Sequence, residues 1–319
     1  MRFAYADHVI LGVRMLPIHR QYLFALAVAI ASWMARSIGT FWVNSSARTA
    51  STVTEGKRSM ILTNENYYSP EANQEYMSVS QYKDFRKCEA MALASLRGEW
   101  RRPETTALLV GSYIDSWFEG TLDEFKENHP EIYKKTTRYP TLKADFMQAE
   151  ELIEFVQRDP LFMRYMSGKK QVILTRELFG TMWKIKMDSY HPDKIVDLKV
   201  MRSMERIMGK SFVEHWQYDT QLAIYAAVEG RDLATYLAVV TKQDPPDKEI
   251  ISVPRWRRIE LLEDVEKNMP HILAVKRGEI PPMRCGCCEY CRATKMLTEP
   301  IDFEMVGFSA AERFAILGG

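Results

Sequence analysis

Long apolar runs, abundant cysteine and a strong net charge are all missing from this sequence. None of its 319 residues belongs to an uninterrupted apolar stretch of about 18 residues, which excludes a multi-pass membrane protein. Its five cysteines are too few for a disulfide scaffold, and a formal net charge of +1 excludes a histone-like coat for nucleic acid. A hydrophobic content of 46% is ordinary for a globular protein and excludes a disordered chain.

The first 59 residues differ in composition from the rest. Basic residues outnumber acidic ones there, whereas acidic residues are slightly in excess over 60–319. An apolar run at 23–35 is shorter than the roughly 20 residues that span a membrane, and Arg36 follows it where a signal-peptide cleavage site would need small residues. The run is compatible with a signal-like segment, but we favour a dispensable extension upstream of a true start at Met60. The sequence therefore predicts an N-terminal extension over 1–59 and one domain over 60–319.

Turn signals and apolar periods over 60–319 predict helices that cover a mixed sheet. The expected helices run over about 81–96, 104–119, 142–157, 211–228 and 259–276. The expected strands run over 171–178, 181–189, 194–200, 234–242 and 249–253. Helices followed by three strands, a helix, a strand with an edge strand over 249–253 and a final helix are typical of a single α/β domain.

Two aspartates and a lysine are expected at one end of that sheet. Asp188 ends one predicted strand, and Asp197 lies on the next strand across a tight turn. Because side chains alternate along a strand, Asp197 and Lys199 point the same way while Leu198 points into the core. Hard oxygen ligands of this kind hold Mg²⁺ or Mn²⁺, which polarises a phosphodiester, and the ammonium steadies the developing charge.

The alternative for the Asp-x-Lys pair is a surface salt bridge, because such a pair also arises by chance. The apolar strand at 195–200 favours a functional site, since unpaired charge is costly there. Gln217 and Gln221 are expected to share one face of the following helix, as are Tyr218, Gln221 and Tyr225, and these side chains suit a groove that contacts phosphates. Asp115, on the helix over 104–119, is either a third metal ligand or part of a solvated helix face.

The cysteines form a second candidate site. Cys285, Cys287, Cys288 and Cys291 lie within seven positions, and Cys88 is the remaining cysteine of the chain. In a reducing cytosol, where we expect this protein, such clusters bind metal more often than they form disulfides. The three-residue spacing of Cys285, Cys288 and Cys291 is that of an iron–sulfur loop, with Cys88 as the natural fourth ligand. Zn²⁺ held by cysteines is the alternative, and a cluster without metal is the least favoured.

Taken in order, these motifs resemble the RecB-like branch of the PD-(D/E)XK nuclease superfamily, and within it the phage and prophage RecE-type, exonuclease VIII-like group. The resemblance spans about 60–297. The matching segments are 77–82 with Cys88, 111–115, 186–188, 196–199, 218–225 and 285–291. It implies a restriction-endonuclease-like mixed central sheet flanked by helices, with a C-terminal cysteine-rich loop.

The same resemblance implies a metal-dependent exodeoxyribonuclease of phage-type recombination. It implies that Asp188, Asp197 and the Leu198 carbonyl bind Mg²⁺ or Mn²⁺. Lys199 would orient the attacking water, and Gln221 and Tyr218 would position the DNA strand. Asp115 stands where many members have histidine. At this position a carboxylate oxygen would therefore replace the imidazole nitrogen as the metal ligand.

A structural clasp is also implied, in which Cys88, Cys285, Cys288 and Cys291 hold a 4Fe-4S cluster and Cys287 is additional. The implied partners are DNA, a single-strand annealing recombinase and further copies of the chain, with no membrane. The first alternative is a non-catalytic nuclease fold that binds DNA or a partner, and the second is a zinc-ribbon-like module joined to an α/β domain. Retention of the two aspartates and the lysine favours the enzyme.

Overall fold

The computed structural model describes residues 60–308 except 102, 104, 136–138, 298 and 299. The predicted extension over 1–59 lies outside the described residues. The helices before the first strand are α1 (Pro70–Glu75), α2 (Val79–Lys87), α3 (Glu89–Leu96), α4 (Thr106–Glu119), α5 (Leu122–Asn128), α6 (Ala144–Gln157) and α7 (Pro160–Tyr165). The strands are β1 (Val172–Leu178), β2 (Thr181–Met187), β3 (Ser189–Tyr190), β4 (Lys194–Met201), β5 (Ala234–Thr241) and β6 (Lys248–Val253). The later helices are α8 (Phe212–His215), α9 (Tyr218–Glu229), α10 (Arg255–Arg277) and α11 (Glu289–Ala293).

Polar side chains set where several of these helices begin. An oxygen at each of these N-caps accepts an N–H of the first turn, which would otherwise lack a partner: Ser69, Ser78, Thr105, Asp159 and Ser211. At the other end, α4 and α10 stop at glycines with φ of +78°, a left-handed conformation that favours glycine. The observed C-terminal residues of these helices, Glu119 and Arg277, lie within one residue of the predicted ends at 119 and 276.

The sheet is mixed, as predicted. β3, β4, β5 and β6 form it in that order, with β4 and β5 parallel and the other two pairs antiparallel. β1 and β2 form an antiparallel hairpin whose last pair, Leu178 and Thr181, encloses the predicted turn. Asp188 lies between β2 and β3, where the chain leaves the hairpin and enters the four-stranded sheet. This break brings the end of the hairpin to the central strand β4.

Two apolar cores cover the two faces of the sheet. The first contains Ile195 of β4 together with residues of β2, α9 and α10, and Trp183 is fully buried in it. The second contains Val196 and Leu198 of β4 together with residues of α4 and α6. Because side chains alternate, Asp197 projects toward the face that carries α9, and Leu198 enters the opposite core. Within the described part of the chain, no helix has the length and apolarity to cross a membrane.

Two predicted helices are interrupted. The helix expected over 81–96 is broken at Cys88, which has an extended backbone (φ −165°) and separates α2 from α3. The helix expected over 211–228 is broken at Gln217, which has φ of +54° and separates α8 from α9. Gln217 is therefore not on the helix face that carries Gln221. Both breaks lie beside predicted site residues and change the direction of the chain there.

Candidate active site and cysteine cluster

The strand register places Asp188 opposite Asp197. Ser189 pairs with Val196 in the antiparallel β3–β4 ladder, so the preceding residue, Asp188, faces Asp197. One oxygen of Asp188, Oδ2, accepts a hydrogen bond of 2.8 Å from the Leu198 N–H. Desolvation, and then the negative charges of Asp197 and Asp115, raise the pKa of Asp188 well above its ordinary value. The two carboxylates that the sequence places together therefore form one strongly interacting pair.

Asp115 completes a group of three aspartates. α4 carries it to the same cavity, which has a volume of about 730 Å³ and is lined by Asp115, Asp188, Asp197, Leu198, Lys199 and Gln221, among others. Desolvation, with contributions from Asp197 and Glu119, raises the pKa of Asp115 to about 7 although Lys199 acts against this change. Glu119, one helical turn further on, also lines the cavity. Asp115 thus faces the other carboxylates rather than open solvent.

Lys199 and Gln221 both contact the Asp197 carboxylate. The Lys199 ammonium forms an ion pair with Asp197 Oδ2. Burial acts against the charge of Lys199, but the charges of Asp197 and Asp188 raise its pKa above the ordinary value. Gln221 Nε2 donates to Asp197 Oδ1 over 2.8 Å and to the Tyr225 hydroxyl over 3.2 Å. Asp197 is only 2% exposed, so these contacts fix its orientation.

Tyr218 lies next to the lysine rather than in the lining of the cavity. Its ring centroid is 5.1 Å from Lys199 Nζ, and its hydroxyl lies 3.3 Å from Met201 Sδ. The ammonium of Lys83 is 5.3 Å from the same centroid and donates to the Trp216 carbonyl over 3.1 Å. The predicted contact of Tyr218 with the site is therefore made through Lys199.

Three residues at the mouth of the cavity were not expected from the sequence. Asn64, Glu65 and Tyr68 line it from the turn that precedes α1, and they carry no motif or apolar period that would single them out. Lys186, from the matching segment 186–188, lines the cavity from β2. Tyr68 nevertheless stands out in the structure, because 69% of it is exposed to solvent.

The cysteine cluster joins distant parts of the chain. Cys88, Cys285, Cys288 and Cys291 bring their sulfur atoms within 4.8 Å of one another, and such a group could hold a metal ion. The Cys88 and Cys291 sulfurs are 3.6 Å apart, and those of Cys285 and Cys291 are 3.9 Å apart. Cys287 is exposed and lies outside this group, with its sulfur 3.7 Å from that of Cys285. The four predicted ligands are therefore brought together.

Backbone amides donate hydrogen bonds to two sulfur atoms of the cluster. The N–H of Cys288 donates to Cys285 Sγ over 3.3 Å, and the N–H of Cys291 donates to Cys288 Sγ over 3.4 Å. Burial opposes ionisation of Cys285, but backbone N–H groups, with that of Cys287 foremost, lower its pKa to about 6. Glu89 of α3 accepts a hydrogen bond of 2.9 Å from the Met283 N–H, which connects this helix to the segment that leads into the cysteine-rich loop. Thiolate is the form of cysteine that binds metals.

Comparisons with known proteins point to one family. The model of a PDDEXK-like domain of unknown function (DUF3799) matches residues 78–294, a range that contains all the predicted site residues. A crystal structure from Eubacterium rectale, described as a putative exonuclease, is 50% identical and has a TM-score of 0.73. The similarity covers 77% of this chain and 98% of that chain. No curated protein matches the chain.

Proposed function

Since this chain belongs to the DUF3799 family of PDDEXK-like domains, we propose that it is a metal-dependent deoxyribonuclease that degrades DNA from its ends. The observation that carries the proposal is the convergence of Asp115, Asp188 and Asp197 with Lys199 in one cavity. Action at ends is supported by the similarity to the Eubacterium rectale protein. The order of the motifs supports a RecE-type role in recombination, with an annealing recombinase and further copies of the chain as predicted partners.

The cavity fits a divalent cation with oxygen ligands. Three carboxylates and the Leu198 carbonyl are available, and all four residues line the cavity. Asp197 is buried, and its Oδ2 is paired with the Lys199 ammonium at the edge of the cavity. Mg²⁺ and Mn²⁺ prefer such hard oxygen donors. When bound, the cation polarises the phosphodiester and lowers the pKa of a water molecule.

The remaining roles belong to side chains of the chain itself. The Lys199 ammonium, which is kept charged beside Asp197, orients the attacking water and steadies negative charge on the phosphate oxygens. Gln221 holds the Asp197 carboxylate in one orientation through its bond of 2.8 Å. Tyr218 packs against Lys199 and positions the strand beside it.

A comparison of lysines on one strand tests the proposal. We expect the wild type to degrade linear duplex DNA with Mg²⁺ or Mn²⁺, to spare closed circular DNA, and to lose activity on replacement of Lys199 by Ala. Lys194→Ala is the matched control, because Lys194 lies on the same strand and pairs with the exposed Asp193. Cleavage of circles would contradict action at ends. DNA binding without cleavage under either metal would support the non-catalytic alternative.

The four-cysteine site is proposed to hold a single tetrahedral ion. Zn–S bonds of about 2.3 Å place the sulfurs of a regular tetrahedron about 3.8 Å apart. Two of the six separations, 3.6 and 3.9 Å, are close to that value, and all four sulfurs lie within 4.8 Å of one another. In a 4Fe-4S cluster, iron and sulfide lie between the thiolates. The sulfur atoms of the four cysteines are therefore farther apart than around a single ion. The distances therefore support the Zn²⁺ alternative over the iron–sulfur expectation.

Colour and metal content separate these two cofactors. We expect protein purified without oxygen to be colourless and to contain about one zinc per chain. Brown protein with absorbance in the visible range and stoichiometric iron would contradict the zinc assignment. Neither result affects the proposed nuclease, because the cysteine site is separate from the carboxylate cavity.

A further inference from the structure

An exposed aromatic ring stands at the mouth of the carboxylate cavity. Tyr68 lines the same cavity as Asp188 and Asp197, yet 69% of it is exposed. The ammonium of Lys186, which also lines the cavity, lies 4.8 Å from the centroid of its ring. Single exposed aromatics are common on protein surfaces, so exposure alone carries no argument. The observation that indicates a function is the position of Tyr68 beside the carboxylates in the lining of one cavity.

The backbone on either side of Tyr68 is firmly held. The preceding residue, Tyr67, is 6% exposed, and its ring is nearly perpendicular to that of Tyr68, with an interplanar angle of 83° and the centroids 4.9 Å apart. The carbonyl of Tyr68 accepts a hydrogen bond of 3.2 Å from Asn73 Nδ2. The next residue, Ser69, is the N-cap of α1. An aromatic ring fixed in this way loses little conformational freedom when a ligand stacks on it.

We propose that Tyr68 forms a binding subsite for the nucleobase of the nucleotide next to the scissile phosphate. This inference rests on the proposed function, because it takes the carboxylates as the place where the phosphate lies. A phosphate held there leaves its nucleoside at the mouth of the cavity, where the ring is exposed. Aromatic rings stack on any base, so the subsite recognises a base without selecting its identity. Lys186 adds a positive charge beside the ring and the backbone of the strand.

Oligonucleotides that lack one base test the subsite. We compare kcat/KM on a linear duplex with the value on the same duplex with an abasic site next to the cleaved bond. The wild type is expected to prefer the intact substrate by about 5- to 150-fold, the range given by stacking on one base. Tyr68→Leu is expected to lose this preference, and Tyr68→Phe to keep it. Tyr139→Leu, an exposed tyrosine outside the cavity lining, is the matched control.

The inference and the proposed function fail in different ways. A Tyr68→Leu enzyme that retains the wild-type preference, or a Tyr68→Phe enzyme that loses it, would overturn the stacking subsite and leave the nuclease intact. Absence of cleavage by the wild type would overturn the nuclease. In that case, binding of an oligonucleotide with 2-aminopurine at its end still tests Tyr68. Fluorescence quenched by the wild type but not by Tyr68→Leu supports stacking, and equal quenching by the two proteins refutes it.

Discussion

Replacement of Gln221 by Leu tests how α9 holds the catalytic carboxylate that we assign to Asp197. The substitution removes the amide that donates to Asp197 Oδ1 over 2.8 Å and keeps most of the side-chain volume. Asp197 is 2% exposed, so water does not replace the lost donor. The Tyr225 hydroxyl keeps its own bond of 3.0 Å to the Lys186 carbonyl. The perturbation is therefore concentrated on one carboxylate oxygen.

The expected effects follow from the charge of the acceptor. A hydrogen bond to a charged group contributes about 1.5–3 kcal/mol, and we expect the free energy of unfolding to fall by about 2 kcal/mol without added metal. The carboxylate also loses the partner that orients it toward the cavity. Loss of such a partner reduces metal affinity or activity about 10- to 100-fold, and we expect a decrease of that size in kcat at fixed Mg²⁺.

Urea unfolding with a chelator and the rate of degradation of linear DNA measure these two effects. Gln148→Leu is the matched control, because Gln148 Nε2 donates over 3.2 Å to an uncharged acceptor, the Lys242 carbonyl, and lies outside the carboxylate cavity. We expect this control to lose at most about 1 kcal/mol and no activity. Equal losses of stability in the two variants, with full activity in Gln221→Leu, would refute the argument that Gln221 holds Asp197.

The other predictions concern the metal sites and a buried lysine. Asp115→Asn should raise the Mg²⁺ concentration for half-maximal activity at least about tenfold, because it removes one charged ligand; an unchanged requirement would exclude Asp115 from the site. Cys288→Ser should lose the bound metal and lower the melting temperature, whereas Cys287→Ser should keep both; equal metal content in the two proteins would contradict the ligand set. Burial lowers the pKa of Lys184 to about 8 in the folded protein, while the unfolded chain keeps the ordinary value and binds more protons above pH 8. Burial also lowers the pKa values of Lys83 and Lys276 to about 8. The share of Lys184 in the rise of the free energy of unfolding from pH 8 to 10 is therefore at most about 1.4 kcal/mol per pH unit, and Lys184→Met should reduce the slope by that share; an equal slope in this variant would show that only other groups titrate.

Local sequence rules predicted the carboxylate pair because strand pairing is a short-range constraint. A tight turn between two strands leaves few registers, and the observed register sets Asp188 opposite Asp197. Alternation along β4 then separates Leu198 from Lys199. The grouping of Cys88, Cys285, Cys288 and Cys291 was also predictable, because thiols are rare in this chain and concentrated in one segment.

Tertiary contacts determined what the sequence could not show. The segments on both sides of Cys88 have helical patterns. The helix is nevertheless interrupted at Cys88, whose sulfur lies 3.6 Å from that of Cys291, a residue far away in the sequence. Gln217 adopts φ of +54° without being glycine or asparagine, so no local signal marks the end of α8. Tyr68 lies in a turn, where neither helical nor strand periodicity applies. Its importance comes only from the carboxylates that distant segments bring beside it.

The separation of the cysteine ligands along the chain has a consequence for synthesis on the ribosome. Cys88 precedes Cys291 by 203 positions. At roughly 5–20 residues per second, the last ligand is made about 10–40 s after the first. Throughout that interval the nascent chain carries Cys88 as a single thiol, and the metal that we propose for this site can complete its coordination only after the final cysteine has left the exit tunnel. We therefore expect capture of the proposed metal late in the biogenesis of this protein.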